Sequence, residues 1–195
     1  MSRRSSRVQD VRGYLLHASP WRETSLIAQA FTRDYGNVSL VAKGAKRPYS
    51  VLRPALCAFQ PLALAWSGTG EIKTLVQADS LGIHALGGRA YMSAWYMNEL
   101  LLRLLPREDP HPTLFDAYDE ALRQLAHGSK TAGSLRRFEW ILLNETGYGL
   151  DRPAPDFEDA EGEPLLRRSL RERLDELLAG QPLQTRKVLM ELQQF

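Results

Sequence analysis

Five short apolar runs separated by turn-forming residues fill the first 80 residues, and this pattern restricts the fold more than any other feature of the chain. The predicted strands are residues 11–17, 25–32, 38–43, 55–66 and 71–78. Residues 34–37 and 67–70 have the composition of turns. The fourth strand is expected to bend at Pro61, because proline cannot donate a ladder hydrogen bond. Five strands this close together indicate a small β-barrel.

Beyond Ser80 the apolar residues follow helical spacing instead. We expect one helix over 91–105, a second that opens with Thr113 as its N-cap and ends at Gly128, and three more over 135–145, 165–178 and 184–192. The sequence therefore predicts an α+β protein, in which a barrel domain (residues 1–80) precedes an α-helical domain (residues 81–195).

Two polar segments stand outside these elements. Residues 1–10 are expected to form a loose tail. An acidic linker at 150–164 contains six carboxylates and three prolines among residues 151–164. Such a composition cannot bury a core, so we expect this linker to be mobile. One further hypothesis is that the linker folds back on basic residues of the first domain and competes with their ligand.

Charge is distributed unevenly along the chain. Residues 35–70 contain no Asp or Glu but carry four cations, Lys43, Lys46, Arg47 and Arg53. Residues 1–80 hold 11 basic and five acidic side chains, whereas residues 81–195 hold 14 and 18, although the whole chain has a net charge of only +2. The basic half suits a polyanion, since Lys and Arg neutralise phosphates and release counterions. An ordinary solvated loop would have the same composition, and charge alone does not separate the two interpretations.

A five-stranded barrel of this size is typical of the OB-fold, which carries oligonucleotides on one face and its loops. Such sites combine cations with aromatic rings on which bases stack. The candidate rings are Tyr35, Tyr49, Phe59 and Trp66. Tyr49 is the preferred one because it lies inside the basic loop, whereas residues such as Phe59 and Trp66 are more often part of a core. Two more cations, Arg33 and Lys73, extend the phosphate track if they face outward.

Catalytic chemistry has little support in the sequence. The four histidines are scattered, and neither a metal-ligand motif nor a nucleophile motif surrounds them. A single cysteine, Cys57, cannot form a disulfide framework, and its apolar neighbours predict a buried thiol. Neither a signal peptide nor a membrane-spanning run is recognisable, so we expect a cytoplasmic protein, not an enzyme, without cofactors.

The third predicted helix carries a second signal. Arg136 and Arg137 precede apolar Phe138. A cation at the rim of an apolar groove can bind a peptide that ends in a carboxylate. The alternative is a surface arginine that forms an ordinary ion pair with Glu139 or Glu145.

Several motifs together resemble the RecO family of recombination-repair mediators, in order and in spacing. In the first domain they are WRETSL (21–26), FTR (31–33), GNVSLVAKGA (36–45), QPL (60–62) and GEIKTL (70–75). In the second they are YMNELL (96–101), LRRFE (135–139), GY (147–148) and PLQTR (182–186). The resemblance covers most of residues 11–150 and recurs near the end.

The resemblance implies an N-terminal OB-fold, a helical domain, and binding of single- and double-stranded DNA with annealing of complementary strands. It implies contact with the C-terminal tail of single-stranded DNA-binding protein (SSB) and, together with RecR, loading of RecA. On this basis Arg136, with Phe138, becomes the candidate for the SSB tail, and Arg33, Lys43, Lys46, Arg47, Tyr49, Arg53 and Lys73 are the DNA candidates. The alternative is an adaptor of SSB and RecR whose DNA affinity is incidental. The four-cysteine zinc module of many family members has no counterpart here, so no structural zinc is expected.

Overall fold

A computed structural model of the protein describes residues 7–128 and 131–192, and in this part of the chain five strands precede five helices. The predicted α+β arrangement is therefore confirmed. The strands are β1 (Arg7–Trp21), β2 (Ser25–Thr32), β3 (Gly36–Ala42), β4 (Pro61–Ser67) and β5 (Ile72–Ser80). The helices are α1 (Gly88–Leu104), α2 (Pro112–His127), α3 (Thr131–Glu145), α4 (Glu163–Leu177) and α5 (Gln184–Leu192).

The chain divides into two compact units. The first contains the described residues up to His84 together with Leu105–Pro112, and the second contains Ala85–Leu104 and the described residues from Thr113 onward. The sheet lies in the first unit, while the helices, apart from Pro112 at the start of α2, lie in the second.

The sheet of the first unit closes on itself in the order β1-β2-β3-β5-β4, so every strand has two hydrogen-bonded neighbours. All its pairings are antiparallel except that of β3 with β5, which is parallel. The long first strand pairs along one part with β4 and along the other with β2. Register shifts between Val8 and Val11 and between Leu15 and His17 interrupt its ladders, and such bulges bend a strand sharply enough to serve two neighbours.

Alternating apolar residues fill the interior of this closed sheet. Its buried core includes Val11, Leu15, Ala28, Ala30, Val38, Leu40, Leu62, Leu64, Trp66, Leu75 and Ala78. Because side chains alternate across a strand, the intervening residues face outward and can form a surface site.

The predicted fourth strand was wrong over residues 55–60. These residues form turns, bends and one isolated β-bridge between Ala58 and Leu15, and β4 begins only at Pro61. Local hydrogen bonds explain the difference, since the N–H of Leu56 donates to the carbonyl of Leu52 at 3.1 Å and that of Cys57 to Ala55 at 2.8 Å. Backbone groups that are satisfied locally have no need of a neighbouring strand. The predicted tail was also wrong in part, because residues 7–10 belong to β1; residues 1–6 lie outside the described part of the chain.

The segment 105–112 packs against the turn at the start of β3. The N–H of Glu108 donates to the carbonyl of Asn37 at 3.0 Å. Gly36 has a φ of +65°, and a Cβ at this position would overlap the backbone of Asp109. Only glycine meets both conditions, because it tolerates the left-handed region and has no side chain.

The helices of the second unit bury the faces that their spacing predicted. The α2 residues Leu114, Tyr118, Ala121, Leu122 and Leu125 are all buried. Thr113 lies inside the first turn of α2 and does not precede it, because proline at 112 already occupies a helical position. The Tyr118 hydroxyl donates to Asn98 Oδ1 at 2.6 Å, which satisfies a buried polar pair between α1 and α2.

The acidic linker is attached to α3. Its Phe157 ring lies edge-on to Trp140 with centroids 6.4 Å apart, and the guanidinium carbon of Arg152 lies 5.8 Å from the centroid of the same Trp140 ring. The Phe157 carbonyl fills the space beside Gly133, where a Cβ would overlap it. We expected a mobile linker, but these contacts attach it to α3. The aromatic ring of Phe157 supplies the apolar contact that the carboxylates of the linker cannot supply.

Candidate functional sites

The basic loop, residues 43–53, follows β3 and exposes most of the predicted DNA-binding side chains. Lys43, Lys46, Arg47 and Arg53 are all exposed, and Tyr49 is 98% exposed. The loop is built of turns, in which the N–H of Arg47 donates to the carbonyl of Gly44 at 3.0 Å. The predicted cluster is therefore at the surface, with its cations free of the core.

Backbone hydrogen bonds attach the basic loop to the turn between β1 and β2. The N–H of Lys46 donates to the carbonyl of Thr24 at 2.9 Å, and the N–H of Gly44 donates to Ser25 Oγ at 3.4 Å. These bonds involve main-chain groups of the loop, so they hold its position whatever side chains it carries. They bring residues 21–25 beside the basic loop, which the sequence analysis did not foresee.

An open groove with a volume of about 880 Å³ lies where the basic loop, the β1–β2 turn and the sheet meet. Three cations line it, Arg22, Lys43 and Arg47, together with one carboxylate, Glu23. Its sheet side is formed by outward-facing residues of β2, β3 and β5, namely Ile27, Val41, Ile72 and Thr74. The groove therefore combines an apolar floor with a cationic rim.

Trp21 is the aromatic residue of this groove. It is 43% exposed, and the guanidinium carbon of Arg22 lies 5.9 Å from its ring centroid. Arg22 has a φ of 53°, a left-handed conformation that is uncommon for a residue with a side chain. Trp21 lies outside the acid-free stretch 35–70, which contains the four predicted rings, so the sequence did not predict it. The signal that identifies it is a tryptophan next to arginine in a turn between two strands.

The other predicted rings separate into exposed and buried ones. Phe59 and Trp66 are each 1% exposed and belong to the core. Tyr35 is partly exposed, but its ring meets Trp66 edge-on at 5.2 Å. Among the four rings considered from sequence, Tyr49 alone is almost fully exposed.

The two cations proposed to extend the phosphate track differ in position. Arg33 follows β2, is partly exposed, and its Nη1 lies 3.8 Å from Asp34 Oδ1. Lys73 is buried, pairs with Glu108 and donates from Nζ to the carbonyl of Gly70 at 3.2 Å. Its partner comes from the segment 105–112, which covers this part of β5. The condition attached to Lys73, that it face outward, is not met, and neither cation lines the groove.

A second candidate site is an arginine pocket of about 320 Å³ in the helical unit. Arg89, Arg136 and Arg167 line it beside the apolar Leu125, Ala132 and Leu135. The sequence analysis found Arg136 but missed Arg89 and Arg167, which come from α1 and α4 and are exposed. Arginines around an apolar surface are suited to a carboxylate on an apolar peptide.

Arg136 is buried and already paired. Its Nη2 donates to Glu139 Oε1 at 3.0 Å, its Nε lies 2.8 Å from Glu139 Oε2, and its Nη1 donates to Glu163 Oε1 at 3.3 Å. The ion pair with Glu139 that was considered as an alternative is thus present, although Arg136 is not a surface residue. Tyr96 donates its hydroxyl hydrogen to Glu139 Oε1 at 2.7 Å. Burial raises the pKa of the Glu139 carboxyl, against the attraction of Arg136.

Phe138 does not line the arginine pocket. Its side chain is fully buried, with its ring 6.1 Å from that of Tyr118. Helical geometry explains this, since Phe138 and Leu142 lie four residues apart on the face of α3 that packs inward. The structure therefore brings together Arg136 and two other arginines, but not Phe138.

Cys57 lies outside both candidate sites. Cys57 is exposed, with Sγ 3.4 Å from the carbonyl oxygen of Pro54, so the predicted buried thiol was wrong. The reason is the replacement of strand by turns over 55–60, which brings this residue to the surface.

Within residues 7–128 and 131–192, no helix combines the length and the apolarity needed to cross a bilayer.

Two family profiles match almost the whole of residues 7–152. The profile described as "Recombination protein O N terminal" matches residues 7–84, and "Recombination protein O C terminal" matches residues 87–152. The first covers the closed sheet and the groove, and the second covers α1 to α3 with Arg89 and Arg136.

Curated relatives extend this similarity. The chain is 43% identical to the "DNA repair protein RecO" of Aromatoleum aromaticum over 235 aligned positions, which cover 97% of this chain and 98% of the relative. It is 41% identical to the protein of the same description from an Azoarcus species, over 95% and 97% of the two chains. The corresponding protein of Cupriavidus pinatubonensis is 53% identical over 150 residues, which cover 76% of this chain and 52% of that relative. An alignment of 235 positions exceeds the 195 residues of this chain, so the Aromatoleum protein contains segments that this chain lacks.

Proposed function

Since this chain belongs to the RecO family of DNA repair proteins, we propose that it is a recombination-repair mediator that binds DNA and anneals complementary single strands. The observation that carries the proposal is the attachment of the basic loop to the β1–β2 turn, which gathers cations around one groove. DNA is the polyanion that a repair protein meets, and both single- and double-stranded DNA present the phosphates that such a cluster binds.

The closed sheet is proposed to be an OB-type barrel. Three features support this assignment: five strands, the order β1-β2-β3-β5-β4, and a groove on the outer face of β2 and β3 beside the β1–β2 turn. Oligonucleotides bind OB-folds on this face and at this turn. Lys43, Lys46, Arg47 and Arg53 are assigned to phosphates, with Tyr49 as an exposed ring and Arg33 as a peripheral cation.

Annealing by such a protein needs no covalent chemistry. Cations that cover phosphates on two strands lower the repulsion between them, and base pairing then supplies the free energy. We accordingly propose a non-enzymatic role. Phosphate contacts carry no sequence information, so the binding is expected to be indifferent to sequence.

The arginine pocket is proposed to bind the C-terminal tail of SSB. Arg89 and Arg167 are exposed at the pocket, so a terminal carboxylate has two guanidinium partners. Arg136 also lines the pocket but is already paired with Glu139 and Glu163. Through SSB the protein reaches coated strands, where it is proposed to cooperate with RecR in loading RecA. No separate surface of this chain is assigned to RecR.

The alternative function is a protein-interaction adaptor, for which the arginine pocket is the main site and the DNA affinity of the groove is incidental. The buried pairing of Arg136 with two carboxylates, which leaves two exposed arginines around an apolar surface, is compatible with either function.

The decisive experiment compares annealing of two SSB-coated complementary oligonucleotides by the wild type and by two double variants. Lys46→Glu with Arg47→Glu reverses two charges of the basic loop, while the backbone hydrogen bond from residue 46 to Thr24 stays in place. Arg89→Ala with Arg167→Ala removes the exposed arginines of the pocket and avoids the buried Arg136, whose loss leaves Glu139 unpaired.

If the protein is a mediator, we expect neither variant to anneal the coated strands. DNA binding should be lost only in the loop variant, and SSB-tail binding only in the pocket variant. Arg168→Glu with Arg171→Glu, an equal charge change on exposed residues of α4, is the matched control for the loop variant. Intact annealing by the loop variant together with failure of the pocket variant favours the adaptor. Absence of annealing by the wild type excludes the mediator role.

A further inference from the structure

We propose that Trp21 is a base-stacking residue and that the groove beside it takes an unpaired nucleobase of single-stranded DNA. This inference rests on the proposed function, because it specifies how the same groove binds DNA. It adds to the phosphate contacts of the basic loop a contact that only a base can make.

The first observation is the position of the ring. Trp21 is a large aromatic residue at 43% exposure, and it lines a groove of about 880 Å³, a volume that a nucleotide can enter. An indole left this exposed on a rigid strand end has apolar surface that no other element of its own unit covers completely. Base stacking on aromatic rings is a sequence-tolerant way of covering it.

The second observation is the chemistry of the surroundings. Ile27, Val41 and Ile72 form an apolar floor, and Arg22, Lys43 and Arg47 form a cationic rim. An unpaired nucleotide has the complementary arrangement, with an apolar ring on one side and an anionic phosphate on the other. A peptide would need matched carboxylates, and Glu23 in the lining disfavours an acidic one.

The third observation is preorganisation. Trp21 ends β1, where it pairs with Ser25 of β2, and the carbonyl of Thr24 accepts a hydrogen bond from the basic loop. Arg22 has a left-handed backbone at the turn, and such sparsely populated conformations persist where the surrounding structure enforces them. The backbone segments that carry the ring and the cations are therefore held in place before a ligand binds, which lowers the entropic cost of binding.

The ring also discriminates between DNA forms. Bases in a duplex are stacked on each other and present no free face, whereas a single strand exposes its bases. The Trp21 contact therefore strengthens binding of single strands, while the basic loop contributes to both forms. Phosphate binding and base stacking can be separated by experiment on this basis.

The experiment measures binding of three probes by fluorescence anisotropy: an oligothymidylate, an abasic oligonucleotide of the same length, and a duplex. Trp21→Ala is expected to weaken binding of the oligothymidylate about 5- to 150-fold, the range found when a stacked ring is truncated. Affinity for the abasic strand and the duplex should change little, and Trp21→Phe should restore much of the lost affinity. Tyr148→Ala, which removes a half-exposed ring that belongs to the helical unit and does not line the groove, is the matched control.

Tryptophan emission gives a second readout, which does not depend on the alanine variant folding. Trp66 and Trp140 are buried and Trp95 of the helical unit is partly buried, so stacking on Trp21 should quench part of the accessible emission, and Trp21→Phe should abolish that part. Equal affinities of Trp21→Ala and wild type for oligothymidylate, or equal weakening of the abasic strand, would overturn the inference while leaving the proposed function intact. A wild type that binds none of the three probes would overturn both.

Discussion

Glu163 Oε1 accepts a hydrogen bond from Arg136 Nη1 at 3.3 Å, so the last carboxylate of the acidic linker neutralises one of the arginines of the pocket. Glu163 is also the first residue of α4, where a negative charge is favoured by the helix dipole. A peptide carboxylate that approaches Arg136 must therefore compete with a carboxylate of the chain itself. Because it is tethered, that competitor is always present at high local concentration.

Replacement Glu163→Gln should accordingly increase the affinity for a peptide that has apolar C-terminal residues and a free C-terminal carboxylate. An increase of about two- to five-fold is expected, since a partly exposed ion pair contributes about 0–1 kcal/mol. Titration of the labelled peptide measures it. Glu161→Gln removes the same charge from an exposed position and should have no effect. An unchanged or lower affinity of Glu163→Gln would show that Glu163 does not compete at Arg136.

The start of α5 should depend on pH through Glu99. Its carboxylate accepts hydrogen bonds from the N–H groups of Gln184 and Thr185 at 2.8 and 3.0 Å. Burial alone would raise the pKa of Glu99, but these hydrogen bonds outweigh it and lower the pKa below its ordinary value. A lowered folded-state pKa means that the stabilisation is present above the unfolded pKa and is lost as the pH falls through the folded one.

Glu99→Gln should therefore lower the free energy of unfolding at neutral pH by about 1–2 kcal/mol, as expected for charge-assisted hydrogen bonds. Thermal unfolding at a series of pH values should show the difference from wild type shrinking below about pH 4. The exposed Glu172→Gln should match the wild type throughout. A difference that is constant over the whole pH range would contradict this assignment.

Truncation of Phe138 should act on stability and not on a binding surface. The side chain is completely buried, so Phe138→Ala should lower the free energy of unfolding by about 3–5 kcal/mol. Denaturant unfolding measures this loss. Tyr49→Ala truncates a ring that is 98% exposed and should leave stability within about 0.5 kcal/mol of the wild type. Similar stabilities of the two variants would be inconsistent with this placement of Phe138.

Gly36 should tolerate no side chain. Gly36→Ala places a Cβ against the backbone of Asp109 and imposes a left-handed φ on alanine, so a loss of about 1–3 kcal/mol is expected. Gly87→Ala is the control, because a Cβ there meets nothing within 4 Å. Equal melting temperatures of the two variants would mean that segment 105–112 does not pack against β3 as described.

Much of the fold follows from local sequence. The strand at 25–32 and the buried face of α2 were predicted because alternation and three–four spacing are local properties. The strand predicted over 55–60 failed for an equally local reason, since turn hydrogen bonds within residues 52–57 satisfy the backbone there. Apolar composition did not reveal this preference.

The candidate sites were harder to predict from sequence, because contacts between distant residues form them. Lys73 pairs with a glutamate 35 residues later, and Arg136 pairs with one 27 residues later, distances over which spacing gives no guidance. Trp21 lies beside the basic loop because Gly44 and Lys46 bond to the β1–β2 turn. The cations of the basic loop were predictable, because a run without acids is visible in the sequence. The groove that they border was not.

The salt dependence of single-strand binding tests the central claim most directly. If about four to six phosphates are neutralised, log K should fall against log[salt] with a slope of roughly −3 to −4 for the wild type. Lys46→Glu with Arg47→Glu should weaken binding of all sequences alike and reduce the slope by at least about 1.4. A nearly flat slope for the wild type would contradict the proposal that this loop and groove bind DNA. The same slope and affinity for the wild type and the charge-reversed variant would also contradict it.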